Sequence, residues 1–155
     1  MQRPRPILAM MQWSFDRIAD LRPAPTATEQ RGRKGERTAY FHLRRQGYIV
    51  VARRWRTALL DGEVDLIAWH RSSSQQQTLC FIEVKTRSAD AHTAAEFNID
   101  SAKQKTLQRM ARAYVSLLPR RGGLPAQVAL RFDVVSVYLR SGHSPQVRVQ
   151  TDAFH

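Results

Sequence analysis

Residues 81–87 read FIEVKTR, an apolar run that turns charged before it ends. Side chains alternate across a strand, so Cys80, Ile82 and Val84 point one way and Phe81, Glu83 and Lys85 the other. The first set reads as core. The second places a carboxylate and an ammonium side by side, on a face that is either wet or engaged in chemistry.

The flanking sequence supplies the frame. EVDLIAW (63–69) reads as a strand, and the polar stretch HRSSSQQQ (70–77) suits the loop of an antiparallel hairpin joining it to FIEVKTR. YIVVARRWR (48–56) reads as an earlier strand, connected through the turn TALLDG. Before it, TEQRGRKGERTAYFHLRRQGY predicts a helix ending at Gly47, a favourable residue just past a helix terminus. The inward stripe of that helix is Gly32, Glu36, Ala39, Tyr40 and Leu43, and Glu36 is its one acid. After a loop over 88–98, Asp100 or Asn98 caps a long helix, SAKQKTLQRMARAYVSLLP. Leu107, Met110, Ala111, Tyr114, Val115 and Leu118 make its core face, and Pro119 with Gly122-Gly123 ends it. QVALRFDVVSVYL (127–139) is a fourth strand and QVRVQ (146–150) a candidate fifth. The order α-β-β-β-α-β predicts an α/β fold, a mixed central β-sheet flanked by α-helices. Residues 28–155 form this domain, and residues 1–27, punctuated by Pro4, Pro6, Pro23 and Pro25, form an N-terminal extension with one short amphipathic helical pattern.

The chain has 155 residues, enough for one domain with one core, and 43% are hydrophobic, which favours folding over disorder. Lys and Arg number 25 against 13 Asp and Glu, a formal charge of +12. Such an excess favours a polyanionic partner, nucleic acid first and an anionic membrane surface second. The single cysteine, Cys80, lies on the core face, which argues against a disulfide framework and a catalytic thiol. No stretch reaches the ~18 apolar residues of a membrane span, and the N-terminus lacks a signal-peptide core and cleavage site; the expected location is the cytoplasm. The five histidines show no metal-ligand spacing, and GRKGER (32–37) lacks the context of a phosphate-binding loop.

Against this basic background the acids stand out. If strands two and three pair as a hairpin, Asp65 meets the Glu83–Lys85 pair at one end of the sheet. Two carboxylates held close repel one another and become tolerable around a divalent cation. Mg²⁺ (or Mn²⁺) suits such a site, because it takes one or two carboxylates, keeps several waters and accepts substrate phosphate. A neighbouring lysine could orient a water or stabilise charge developing on the phosphate. An aspartate, then Glu-x-Lys, in basic surroundings suits metal-dependent phosphodiester hydrolysis.

Asp65 followed by Glu83-Val84-Lys85 resembles the PD-(D/E)xK nuclease signature. The ordered set GERTAYFHLRRQGY, GEVDLIA, FIEVKTR, AKQKTLQRMARAY and RFDVVSV, spanning roughly residues 31–139, resembles the YraN family of bacterial proteins. That resemblance implies a restriction-endonuclease-like fold, similar to archaeal Holliday junction resolvases. It further implies metal ligation by Asp65, Glu83 and the Val84 carbonyl, a catalytic Lys85, a nearby Glu36, and Lys103 or Gln104 close to the scissile phosphate. Related sequences often carry Arg-Asn where this chain has Arg53-Arg54.

These observations point to a metal-dependent endonuclease acting on DNA, structured or branched, with a homodimer as an expected assembly. Arg33, Lys34, Arg37, Lys103, Lys105, Arg109 and Arg112, together with Arg44 and Arg45, are the candidate phosphate contacts. The rival is a non-catalytic nucleic-acid-binding or protein-interaction module that keeps the fold; RNA in place of DNA is equally compatible with the residues. For Glu63 a salt bridge to Arg54 or Arg56 is favoured over metal ligation, and for Asp133 a structural bond to Arg131. Trp55 and Trp69 read as core or strand-end residues rather than base-stacking platforms.

Overall fold

The computed structural model describes residues 24–71, 77–88, 97–118 and 128–155. The amphipathic pattern in the N-terminal extension, most of the 70–77 and 88–98 loops, and the Pro119 to Gly123 helix stop lie outside these residues. Residues from Arg31 onward form one compact unit.

Helix α1 spans Ala27–Arg45. It starts one residue before Thr28 because Thr26 and Glu29 make a reciprocal cap: the Glu29 N–H donates to Thr26 Oγ1 at 3.2 Å and the Thr26 N–H to Glu29 Oε2 at 2.8 Å. The Thr-x-x-Glu spacing is the sequence signature of that cap. Strands β1 (Ile49–Thr57), β2 (Leu60–Arg71) and β3 (Gln77–Ser88) follow, then α2 (Ser101–Leu117), β4 (Ala129–Leu139) and β5 (Gln146–Phe154). Asp100 caps α2 by accepting the Lys103 N–H at 2.8 Å. The five strands form one sheet in the order β1-β2-β3-β4-β5. All pairs are antiparallel except β3 with β4, which run parallel because α2 lies between them in the chain. The fold is therefore α/β with a mixed sheet, and QVRVQ belongs to a full fifth strand.

Both faces of the sheet are covered. Ala39 and Leu43 of α1 pack with Leu66, Ala68, Cys80, Ile82, Val135 and Val137. Leu107, Met110 and Ala111 of α2 pack with Val64, Ile67, Leu79, Phe81, Phe132 and Val134 on the other side. Phe81 is fully buried, so its face of β3 is not wet at the apolar end. Trp55 and Trp69 pack against the α2-side cluster.

On α1 the buried glycine is Gly35, while the expected Gly32 is only half-buried. A Cβ at Gly35 would stand 1.9 Å from Thr86 Oγ1, so only glycine lets the helix sit this close to β3. That contact fixes the neighbouring Glu36 beside the charged end of β3.

Candidate active site

The register of the sheet breaks where the acids are. The β2–β3 ladder runs from Arg71 opposite Gln77 to Leu66 opposite Ile82, and stops. One residue further, Asp65 Oδ2 accepts the Val84 N–H at 2.7 Å, so a side chain replaces a ladder partner. Ala52 pairs with Ile67 and Trp55 with Val64, and all four pack on the α2 side although each pair of neighbours along a strand is three residues apart. Strict alternation forbids that. The half-step falls at Arg54, which has φ 48. A non-glycine residue in this left-handed region is uncommon, and Asn enters it more readily than Arg. The kink removes the shared face that strict alternation would give Glu63 and Asp65. Asp65 turns to β3. Glu63 turns to Arg54 Nε, at 3.2 Å, and to Arg56 Nε.

Glu83 lies opposite this opening with its side chain 13% exposed. Its Oε2 is 2.9 Å from Lys103 Nζ, in the first turn of α2. Lys103 is the ion-pair partner of this oxygen, and no neutral donor reaches it among the described residues. Burial, and next the charge of Glu83, push the Asp65 carboxyl up to about 7; the Val84 N–H and Lys103 oppose this and Glu36 adds to it. Glu36 is 17% exposed, and Arg54 Nε lies 3.8 Å from its Oε2. Asp65, Glu83 and Glu36 thus come from three elements, and Asp65 senses the other two as like charges. Lys85 is half-buried in β3 two residues beyond Glu83, and among the described residues no ion pair uses it. Gln104 does not reach outward: its amide donates to the Ile99 carbonyl at 2.9 Å.

The candidate phosphate contacts divide between two surfaces. Arg33, Lys34, Arg37, Arg44 and Arg45 are exposed on α1, whereas Lys105, Arg109 and Arg112 are exposed on α2, across the sheet. Only Lys103 stands at the acids. Burial tends to raise the Glu63 carboxyl, but bonds from Arg56 and Arg54 outweigh it and hold the carboxyl below its usual value. Asp133 is buried against Arg131, as expected of a structural acid. Arg54 was not expected at the acid site; its part there follows from the left-handed backbone that turns it to Glu63 and Glu36.

Among the described residues no group of three or more His, Cys, Asp or Glu has a metal-holding arrangement. A cation of the magnesium type needs fewer protein ligands than that. Two neighbouring carboxylates, one raised well above its usual range and one met by a single lysine, fit such an ion.

An α/β sheet whose ladder opens around a half-buried acid pair, with a lysine two residues along the same strand, defines a class of domain built to hold charge at a strand end. The family model described as "Uncharacterised protein family UPF0102" matches residues 35–137. A UPF0102 protein of Koribacter versatilis is 38% identical over 134 residues, covering 85% of each chain. One of Solibacter usitatus is 40% identical over 126 residues, covering 81% of this chain and 86% of that protein. One of Desulfosudis oleivorans is 34% identical over 125 residues, covering 81% of this chain and 92% of its own. The chain belongs to the UPF0102 family, the YraN family. No helix among the described residues is long and apolar enough to cross a membrane.

Proposed function

We propose that the chain is a metal-dependent endonuclease that hydrolyses phosphodiester bonds of DNA, with structured or branched DNA as substrate. The observation that carries this reading is the half-buried Asp65–Glu83 pair at the opened end of β2 and β3, where burial and the charge of Glu83 raise the Asp65 carboxyl. This pair is held together against its own repulsion, a cost that a site for a cation explains.

Asp65, Glu83 and the Val84 carbonyl are the residues to hold Mg²⁺ or Mn²⁺. When bound, such an ion polarises a phosphoryl oxygen and lowers the pKa of a coordinated water. The chain's own residues do the rest. Lys85 orients the attacking water and offsets charge developing on the phosphate. Lys103, now paired with Glu83, is placed to exchange that carboxylate for a substrate phosphate. Glu36 supports the local negative potential. Gln104 fixes the first turn of α2 through its bond to Ile99.

The test is cleavage of labelled single-stranded, duplex, flap and four-way-junction DNA, and of RNA, with Mg²⁺, with Mn²⁺ and with EDTA. Asp65→Asn and Lys85→Ala are compared with the unaltered protein. Metal-dependent cutting of one structure, reduced at least ~100-fold in both variants, is the expected result. Cutting that persists equally in both variants, or binding with no turnover under any condition, replaces the enzyme with a binding module.

A further inference from the structure

Glu63 holds two arginines in the same manner. Its Oε1 accepts from Arg54 Nε at 3.2 Å and its Oε2 accepts from Arg56 Nε. Glu63 itself is 18% exposed, while the two arginine side chains are 46% and 67% exposed. Among the described residues no hydrogen bond or ion pair uses a terminal nitrogen of either arginine. A guanidinium bound through Nε presents its two terminal nitrogens as a planar fork, the geometry that grips a phosphate bidentately.

Stability does not account for this arrangement. Exposed ion pairs contribute ~0–1 kcal/mol each. The left-handed backbone at Arg54 costs about 1–2 kcal/mol for a non-glycine residue. Strain kept at that level collects at functional positions. The place is also right: Glu63 is two residues from Asp65, and Arg54 reaches Glu36, whose charge Asp65 senses.

We propose that Arg54 and Arg56, set by Glu63, form a phosphate clamp that grips the nucleic-acid backbone beside the acid pair. The clamp rests on the nucleic-acid reading above and names the residues that seat the strand. Glu63 is a positioning residue. Phosphate contacts of this kind position a strand without reading its bases.

Fluorescence anisotropy of labelled duplex and four-way-junction DNA, in EDTA and over a salt series, tests it apart from cleavage. Arg54→Ala and Arg56→Ala each weaken binding roughly tenfold at low salt, and each lowers the slope of log affinity against log salt by about 1. Arg54→Lys keeps the charge and loses the fork, so it falls between Arg54→Ala and the unaltered protein. Glu63→Gln decides between a clamp and general charge. It makes the protein more positive, so a mere charge effect tightens binding, whereas a clamp that needs the Nε anchor weakens it. Tighter binding by Glu63→Gln, or unchanged slopes in both alanine variants, overturns the clamp and leaves the acid-site reading standing. No binding of any probe by the unaltered protein overturns both.

Discussion

Asp133, buried, and Glu83, half-buried, are acids on adjacent, parallel strands, one register step apart, and they live in opposite surroundings. Asp133 is saturated: Arg131 Nε and Nη2 donate to it at 2.8 Å each, the Asp152 N–H at 3.0 Å and the Tyr48 hydroxyl at 3.4 Å. The network joins β4 to the start of β1 and to the kink of β5 at Asp152, where φ is 55. Among the described residues Glu83 has a single ion-pair partner, Lys103 at its Oε2, and its neighbour Asp65 carries a raised pKa. A buried charge with every lone pair engaged is architecture. A half-buried carboxylate met by a single ammonium, beside an acid it repels, is the arrangement that a bound cation would relieve.

Breaking the saturated side has the largest expected effect. Asp133→Ala leaves Arg131 with its charge buried and its partner gone, a loss of about 3–5 kcal/mol. For a chain of this size that lowers Tm by roughly 10 °C or more. Replacing both members, Arg131→Met with Asp133→Leu, recovers much of the loss, because a matched apolar pair leaves no orphaned charge. Thermal unfolding of the three variants checks this. A fall of under ~3 °C for Asp133→Ala removes the contrast with Glu83.

The other side of the comparison behaves in the opposite sense and depends on pH. The Asp65 carboxyl moves from 3.8 to about 7 on folding, so between those values the folded protein holds a proton that the unfolded chain has released. A raised folded pKa gives stability that is full below the unfolded value and lost as pH rises through the folded one. Metal-free protein therefore loses stability between about pH 4 and pH 7 and then levels off. Asp65→Asn stays flat across that window, and at pH 8 it exceeds the unaltered protein by on the order of 2–4 kcal/mol. Added Mg²⁺ raises the Tm of the unaltered protein at pH 8 and not that of Asp65→Asn. Denaturant titrations at pH 5 and pH 8, with and without Mg²⁺, sharpen the contrast. Parallel pH profiles for the two proteins erase it.

The sequence made most of this legible, and what it hid has physical causes. Period-2 and period-3.6 patterns located all five strands and both main helices, and the Glu63 and Asp133 pairings followed from neighbouring arginines of opposite charge. Strict alternation puts Glu63 and Asp65 on one face, which fails because the facing of both strands slips where Arg54 enters the left-handed region, with Val64 on the α2 side and Leu66 on the α1 side. Nothing in an arginine announces that conformation. Gly32 and Gly35 are equally plausible on a helical wheel, and only the approach of Thr86 selects Gly35. The basic residues were counted as one set because composition carries no side; α1 and α2 cover opposite faces and divide them.

The smallest expected change is the most diagnostic of the kink. Arg54→Asn removes the contacts to Glu63 and Glu36, yet Glu63 keeps Arg56, so the electrostatic loss is under about 1 kcal/mol. Asn tolerates the left-handed backbone better than Arg, which returns a similar amount. The two nearly cancel, and Tm moves by no more than ~3 °C in either direction. Phosphate affinity does not share this cancellation, since Asn supplies neither the charge nor the fork, and the salt slope drops by about 1. A variant that folds as well as its parent and grips the backbone less tightly would show that strain at Arg54 is kept for the strand and not for the fold. A variant whose Tm falls by 10 °C would instead make the Arg54–Glu63 contact part of the architecture, and move it to the Asp133 side of the comparison.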